Sequence, residues 1–90
     1  MPMYVISYDL RKARNYEPLW KQLRDWGAER LLESFWLADL KGPAQTVRDL
    51  LIKHIDNDDG IAVIELKPNF DWGTLRCQAG GTQWLKARSP

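Results

Sequence analysis

Hydrophobic residues recur with two different periods along the first two thirds of this chain, and the order of those periods constrains the fold more than any other feature. Alternating strand formers cover residues 3–8, and apolar strand formers also dominate residues 29–40 and 61–66. A helical spacing of three to four covers residues 16–26 and again residues 43–55. The sequence therefore predicts strands and helices in alternation.

The middle segment is too long for one ordinary strand, so we interpret residues 29–40 as two strands that meet near Ser34-Phe35. The predicted order is then β-α-β-β-α-β, which indicates an α+β, ferredoxin-like fold with two helices on one face of a four-stranded sheet. A chain of 90 residues has room for one core, so we expect a single domain over residues 1–90. Residues 70–90 form an additional C-terminal tail, in which we expect a short strand and a final helical turn.

Several residues at the predicted boundaries favour turns and helix ends. Asn15 is the expected N-cap of the first helix, Gly27 its C-terminal stop, and Pro43 the first residue of the second helix. The run from Asp56 to Gly60 resembles a calcium loop, but Ile61 stands where such a loop requires glycine. We therefore interpret this run as a turn.

The predicted strands are apolar on both faces, although the two predicted helices can cover only one face. A sheet with two apolar faces must bury both, so we predict a homodimer. Five tryptophans are many for a core of this size. Trp36 falls in the second hairpin, and we expect Trp72 and Trp84 of the tail to pack against the partner subunit or the sheet edge.

Composition excludes several classes of protein. The longest apolar runs are far below the roughly 18 residues of a membrane span, and the N-terminus lacks a signal-peptide pattern, so we expect a cytoplasmic protein without a membrane partner. A single cysteine and a single histidine cannot form a disulfide or a Cys/His zinc site within one chain. A net charge of +1 argues against a protein that binds nucleic acid through bulk charge.

The candidate chemistry lies at the end of the first strand. Asp9 ends that strand, and Arg11, Lys12 and Arg14 follow it. In a two-fold dimer Asp9 can meet its own copy, and two carboxylates form a site that Mg²⁺ or Mn²⁺ accepts with several waters retained. Two other interpretations stay open here: an aspartate that caps the next turn, and a basic loop that is simply solvated.

The run from Tyr4 to Leu10, the basic loop after it, Arg30 four residues before Ser34, and the aromatic pair Phe35-Trp36 resemble CRISPR-associated protein 2. This family provides the small ferredoxin-like subunit of the spacer-acquisition machinery in antiviral defence. The resemblance covers residues 3–66. The tail replaces the family's C-terminal strand, which joins the partner's sheet or the integrase subunit, and it is more similar to relatives outside CRISPR loci.

The resemblance implies a homodimer in which Asp9 binds a divalent metal such as Mg²⁺ for endonuclease activity. It implies a catalytic or phosphate-binding role for Arg30 and an aromatic surface position for Trp36, whereas Arg11, Lys12 and Arg14 match only a variable basic loop that contacts nucleic acid. Two hypotheses follow: a metal-dependent endonuclease that hydrolyses RNA or DNA, and a non-catalytic dimeric scaffold that binds nucleic acid or a protein partner.

Overall fold

The computed structural model describes residues 2–11 and 15–88, and within them the chain forms a four-stranded sheet and three α-helices. The elements in chain order are β1 (Met3–Asp9), α1 (Glu17–Asp25), β2 (Glu29–Leu32), β3 (Phe35–Asp39), α2 (Ala44–Leu51) with a 3₁₀ turn at Ile52–His54, β4 (Gly60–Leu66) and α3 (Ala79–Arg88). None of the helices in this part of the chain is both long enough and apolar enough to cross a bilayer.

The strands lie in the order β2-β3-β1-β4, and every neighbouring pair is antiparallel. The split of residues 29–40 into two strands is confirmed, because β2 ends at Leu32 and β3 begins at Phe35. With one helix between β1 and β2 and another between β3 and β4, the arrangement is consistent with a ferredoxin-like fold.

The ends of α1 and α2 follow local chemistry. Gly27 directly follows Trp26, the C-cap of α1, and ends the helix as expected. Its φ of +77° is a conformation that glycine adopts without strain. The side-chain Oδ1 of Asn15 accepts the backbone N–H of Glu17 at 2.9 Å, although the helix N-cap itself is Tyr16. Pro43 is the N-cap of α2 rather than its first helical residue, because its ψ of 156° is extended.

One face of the sheet, here called the helical face, carries the larger core. Tyr4, Ile6 and Tyr8 of β1 are almost completely buried on this face. Leu19 and Leu23 of α1 are fully buried in the same region, as the helical spacing of apolar residues predicts. The remaining members of this core are Ala28, Trp36, Ala38, Val47 and Leu51.

The opposite face, here called the second face, is partly covered by the tail of the same chain. Residues 79–88 form α3, a helix of ten residues where we expected a short strand and one helical turn. Trp84 and Leu85 of α3 are each 4% exposed and pack with Leu31 and Leu37 of the sheet. The expectation that helices cover only one face of the sheet is therefore wrong. It failed because the spacing of apolar residues does not predict α3.

The N-terminal end of α3 approaches β2 at backbone distance. The N–H of Gln78 donates to the carbonyl oxygen of Leu31 at 2.9 Å, which fixes the start of the helix beside the sheet. A Cβ atom at Gly81 would lie 2.6 Å from the Cα of Leu31 and 2.8 Å from the carbonyl oxygen of Arg30. Only glycine fits at this position. At the other end of α3, the guanidinium of Arg88 forms an ion pair with Asp39.

The remainder of the second face lies at the end of the β1–β4 pair and is here called the open corner. It consists of Ser7 and Asp9 of β1 and Ala62 and Ile64 of β4, which share this face by strand alternation and register. Ile64 is 58% exposed, in contrast to Leu37 at 1% on the covered part of the same face. The open corner therefore combines an apolar side chain with the carboxylate at the end of β1.

Candidate functional site

A hydrogen-bonded aromatic cluster lies on the helical face next to the end of β1. The hydroxyl of Tyr8 accepts the indole N–H of Trp20 at 3.0 Å and that of Trp36 at 2.9 Å. The same hydroxyl donates to the backbone carbonyl oxygen of Glu33 at 3.1 Å. A phenol has one donor and two acceptor lone pairs, so this arrangement uses its whole hydrogen-bonding capacity and fixes both indole rings.

Arg30 extends this cluster from β2. It lies opposite Trp36 in the strand register, and its guanidinium carbon is 4.5 Å from the centroid of the Trp36 ring and 5.2 Å from that of Trp20. The Nε and Nη2 atoms are buried without a hydrogen-bond acceptor among the described residues. Contact with two electron-rich rings offsets part of the cost of burying this charge.

The structure does not bring Arg30 to Asp9. Arg30 and Trp36 lie level with Ile6 in the register, and Asp9 is three residues farther along β1. Strand geometry therefore separates the two positions by about 10 Å along the strands and by about 10 Å across them. The two residues predicted to act together thus belong to different parts of the surface.

Asp9 ends β1 opposite Gly60 and is exposed. Its carboxylate makes no hydrogen bond or ion pair with any residue in the ranges 2–11 and 15–88. It lies on the rim of two cavities. One, of about 290 Å³, faces the β2–β3 turn, and the other, of about 220 Å³, lies over the end of the β1–β4 pair next to Ser7 and Ala62.

Among the described residues, Asp59, and not Asp9, accepts the hydrogen bonds that stabilise the turns at this end of the sheet. Its Oδ1 accepts the backbone N–H of Arg11 at 2.8 Å, and its Oδ2 accepts the hydroxyl of Tyr16 at 2.9 Å and the N–H of Asp56 at 2.8 Å. These bonds tie the turn before β4 to the segment after β1. The interpretation of the Asp56–Gly60 run as a turn is confirmed. The capping interpretation of Asp9 stays a hypothesis, because the turn after β1 includes residues outside the described ranges.

Arg11 is the one member of the basic loop inside the described residues. Its Nη1 donates to the carbonyl oxygen of Asp58 at 2.5 Å, and its side chain passes beside Gly60. The residue is exposed and lies on the Asp9 side of the molecule. Lys12 and Arg14 lie outside the described residues.

Several cations on the remaining described surface are neutralised locally by carboxylates. Lys21 and Asp25 form an ion pair at 2.7 Å across one turn of α1, and the other pairs are Arg24–Glu17, Arg48–Asp49 and Lys67–Glu65. Such exposed pairs contribute little to stability but remove positive potential from the surface. Arg11 and Arg30 belong to none of these pairs, and neither do the exposed Lys41, Lys53, Arg76 and Lys86.

The two tail tryptophans lie away from Asp9 in the described structure. Trp84 is buried against Leu31 and Leu37 of its own chain, and its indole N–H has no acceptor among the described residues. Trp72 is partly buried against the same cluster and lines an apolar cavity of about 230 Å³ on the second face.

Sequence reasoning missed two features of this region. The cavity between Asp9, Trp20 and Glu33 depends on the strand register and on the packing of α1, which no local pattern encodes. Asp59 lies in the run Asp56–Gly60, whose Asp and Asn residues all favour a turn, so the sequence does not distinguish Asp59 from its neighbours. Within the described residues, no group of three carboxylate, histidine or cysteine side chains converges on one point.

No protein-family model matches this chain, and no solved structure matches it. The resemblance of residues 3–66 to CRISPR-associated protein 2 therefore stays a prediction.

Proposed function

We propose that this protein is a homodimeric, nucleic-acid-interacting protein similar to CRISPR-associated protein 2, with metal-dependent endonuclease activity at paired Asp9 residues. The observation that carries this proposal is that the Asp9 carboxylate is exposed and unpaired among the described residues. The carboxylate follows the buried Tyr8 at the end of β1, is exposed, and has no partner in the described chain. Asp59 already stabilises the adjoining turn, and no contact within residues 2–11 and 15–88 gives Asp9 a structural role.

The proposed dimer forms through the open corner of the second face. Ile64 and Ala62 are exposed apolar side chains there, and α3 does not cover them. A two-fold axis through this corner would bury both residues against their copies and would bring the two Asp9 carboxylates to the same side of the interface. The occupant of the corner is thus a second copy of the chain.

The residues present fit a hard divalent cation. Asp9 shares its cavity with one other unpaired carboxylate of the same chain, that of Glu33, the proposed dimer adds the second Asp9, and Mg²⁺ is commonly held by one or two carboxylates with several waters retained. Both Asp9 side chains would hold the ion, and a bound Mg²⁺ lowers the pKa of a coordinated water and offsets charge on a phosphodiester. Arg11, whose guanidinium is exposed beside Gly60, would contact a neighbouring phosphate.

A non-catalytic dimeric scaffold is the second candidate, and Arg30 favours it. A guanidinium held against two indole rings needs no metal to interact with an anionic or aromatic ligand. In this alternative Asp9 is dispensable, and binding falls with salt but does not respond to chelators.

The test is a cleavage assay of the purified protein with single-stranded RNA and with duplex DNA, each in Mg²⁺, Mn²⁺ or EDTA. We expect cleavage in Mg²⁺ or Mn²⁺, none in EDTA, and a loss of at least about 100-fold in Asp9→Asn, because the amide removes the anionic ligand. Asp25→Asn, which removes the same charge at the end of α1, is the matched control and should keep full activity. Activity that survives Asp9→Asn would exclude the mechanism, and binding without cleavage in every metal would favour the scaffold.

A further inference from the structure

Apart from Asp9, the residues that line the cavity on the β2–β3 side have no role in the proposed metal site. Its volume is about 290 Å³, and it is lined by Tyr8, Asp9, Leu10, Trp20, Glu33 and Ser34. We propose that this cavity takes one unpaired nucleobase of a single-stranded nucleic acid, and that Glu33 selects bases with an exocyclic amino group. This inference rests on the proposed function, because it specifies the substrate of the same site.

The size and walls of the cavity suit a flat ring system. Pockets for drug-sized ligands begin at roughly 300 Å³, so this cavity suits a ligand of one or two rings. Trp20 and Tyr8 form part of its wall, and stacking of a base on an aromatic side chain contributes affinity whatever the sequence. Leu10 adds a further apolar surface.

The charge of the cavity argues for a base and against a phosphate. Asp9 and Glu33 are its two acidic lining residues, and neither Lys nor Arg lines it. The exposed carboxylate of Glu33 has no partner in the described chain and can only accept hydrogen bonds at neutral pH. A base amino group would supply the missing donor, while a phosphate would be repelled by both carboxylates.

The cavity is already formed without a ligand. The hydroxyl of Tyr8 holds the Trp20 indole through a hydrogen bond at 3.0 Å and the backbone of Glu33 through one at 3.1 Å. The N–H of Tyr8 also donates to the carbonyl oxygen of Ser34 at 3.2 Å. These bonds hold the two aromatic walls and the β2–β3 turn in place before binding, which lowers the entropic cost of capturing a base.

The carboxylate predicts a preference among bases. Cytosine and adenine present an amino group that can donate to Glu33, whereas uracil has a single N–H between two carbonyl oxygens that the carboxylate repels. We expect cytidine RNA to bind about fivefold more tightly than uridine RNA, because Glu33 is exposed and such a contact is worth the lower end of the usual range of discrimination. A base in a duplex is not accessible to the cavity.

The experiment measures fluorescence anisotropy of labelled short cytidine and uridine RNAs with the full-length protein in EDTA, so that metal binding and cleavage do not contribute. Glu33→Gln should reduce the cytidine preference to less than about twofold, because an amide both donates and accepts. Glu65→Gln, which removes the same charge from β4 at the opposite edge of the sheet, should keep the fivefold preference. Trp20→Phe should weaken binding of both RNAs, and thermal unfolding reports whether that variant is folded.

The outcomes separate this inference from the proposed function. Equal binding of the two RNAs by the wild type, a preference that survives Glu33→Gln, or equal competition by duplex RNA would overturn the cavity proposal while metal-dependent cleavage at Asp9 could still be observed. If the wild type binds neither RNA, the cavity proposal falls, whereas cleavage of RNA or DNA in Mg²⁺ or Mn²⁺ would still support the proposed function. The Glu33→Gln result is decisive even if Trp20→Phe unfolds, because the exposed Glu33 side chain supports no contact of the fold.

Discussion

The two faces of the sheet are covered in different ways. On the helical face, α1 and α2 present rows of apolar residues, and Leu19, Leu23 and Leu51 are completely buried. On the second face, α3 contributes only Trp84 and Leu85 as large buried side chains, and its position depends on the contact between Gly81 and the backbone of β2. The first face is stabilised by rows of apolar residues from two helices, and the second by a few buried side chains of one helix whose position depends on a close fit, so they should respond differently to mutation.

The largest expected effect is that of removing α3. A chain that ends at Gln78 loses the burial of Trp84 and Leu85 and exposes Leu31 and Leu37, which should lower the free energy of unfolding by about 4 kcal/mol. Urea denaturation followed by circular dichroism measures this loss. The single change Leu23→Ala on the helical face, at about 3 kcal/mol, is the reference for comparison. An unchanged urea midpoint in the shortened chain would show that α3 is not part of the cooperative core.

A smaller effect is expected from a single methyl group at the α3–β2 contact. Gly81→Ala places a Cβ within 2.6 Å of the Cα of Leu31, so the helix must shift, and we expect a loss of about 2 kcal/mol. Gly73→Ala is the matched control, because no atom lies within 4 Å of a Cβ at that position. Comparison of the near-ultraviolet circular dichroism of the two variants shows whether Trp84 leaves its packed site. Equal stability of the two variants would contradict the close-fit account of the second face.

At the open corner we expect a mutation to have the smallest effect on stability. The same mutation should clearly weaken the proposed dimer. Ile64 is 58% exposed, so Ile64→Lys should change the free energy of unfolding by less than about 0.5 kcal/mol while it weakens the proposed dimer. Leu75→Lys in the tail, at a residue that is 72% exposed, is the control. Sedimentation equilibrium at several concentrations measures the association. Dimers of unchanged affinity in Ile64→Lys would place the interface elsewhere, and a monomeric wild type would remove the paired Asp9 site.

The helical face could be predicted from the sequence because each of its elements carries a local signal. The spacing of Leu19, Trp20 and Leu23 identifies α1, and Gly27 marks its end. The predicted bounds of β1 and β4 differ from the observed ones by one residue each. These segments would bury the same residues in almost any packing, so their identity does not depend on the rest of the chain.

The second face could not be predicted in the same way. Glycines such as Gly80 and Gly81 disfavour a helix, and α3 has no continuous apolar stripe, so only its tertiary contacts with β2 explain why it forms. At the candidate site, the strand-end position of Asp9 was visible in the sequence. The cavity formed with Trp20 and Glu33 was not, because it requires the packing of α1 beside the β2–β3 turn.

The saturated hydroxyl of Tyr8 has an evolutionary consequence. A change of Tyr8 to Phe would leave the indole N–H groups of Trp20 and Trp36 without their acceptor, at a cost of about 1–3 kcal/mol for each buried donor. Replacing either tryptophan alone leaves the other bond intact. For these hydrogen bonds the order of substitution therefore matters, because exchanging the tryptophans before the tyrosine leaves no indole donor without its acceptor, whereas losing Tyr8 first leaves two.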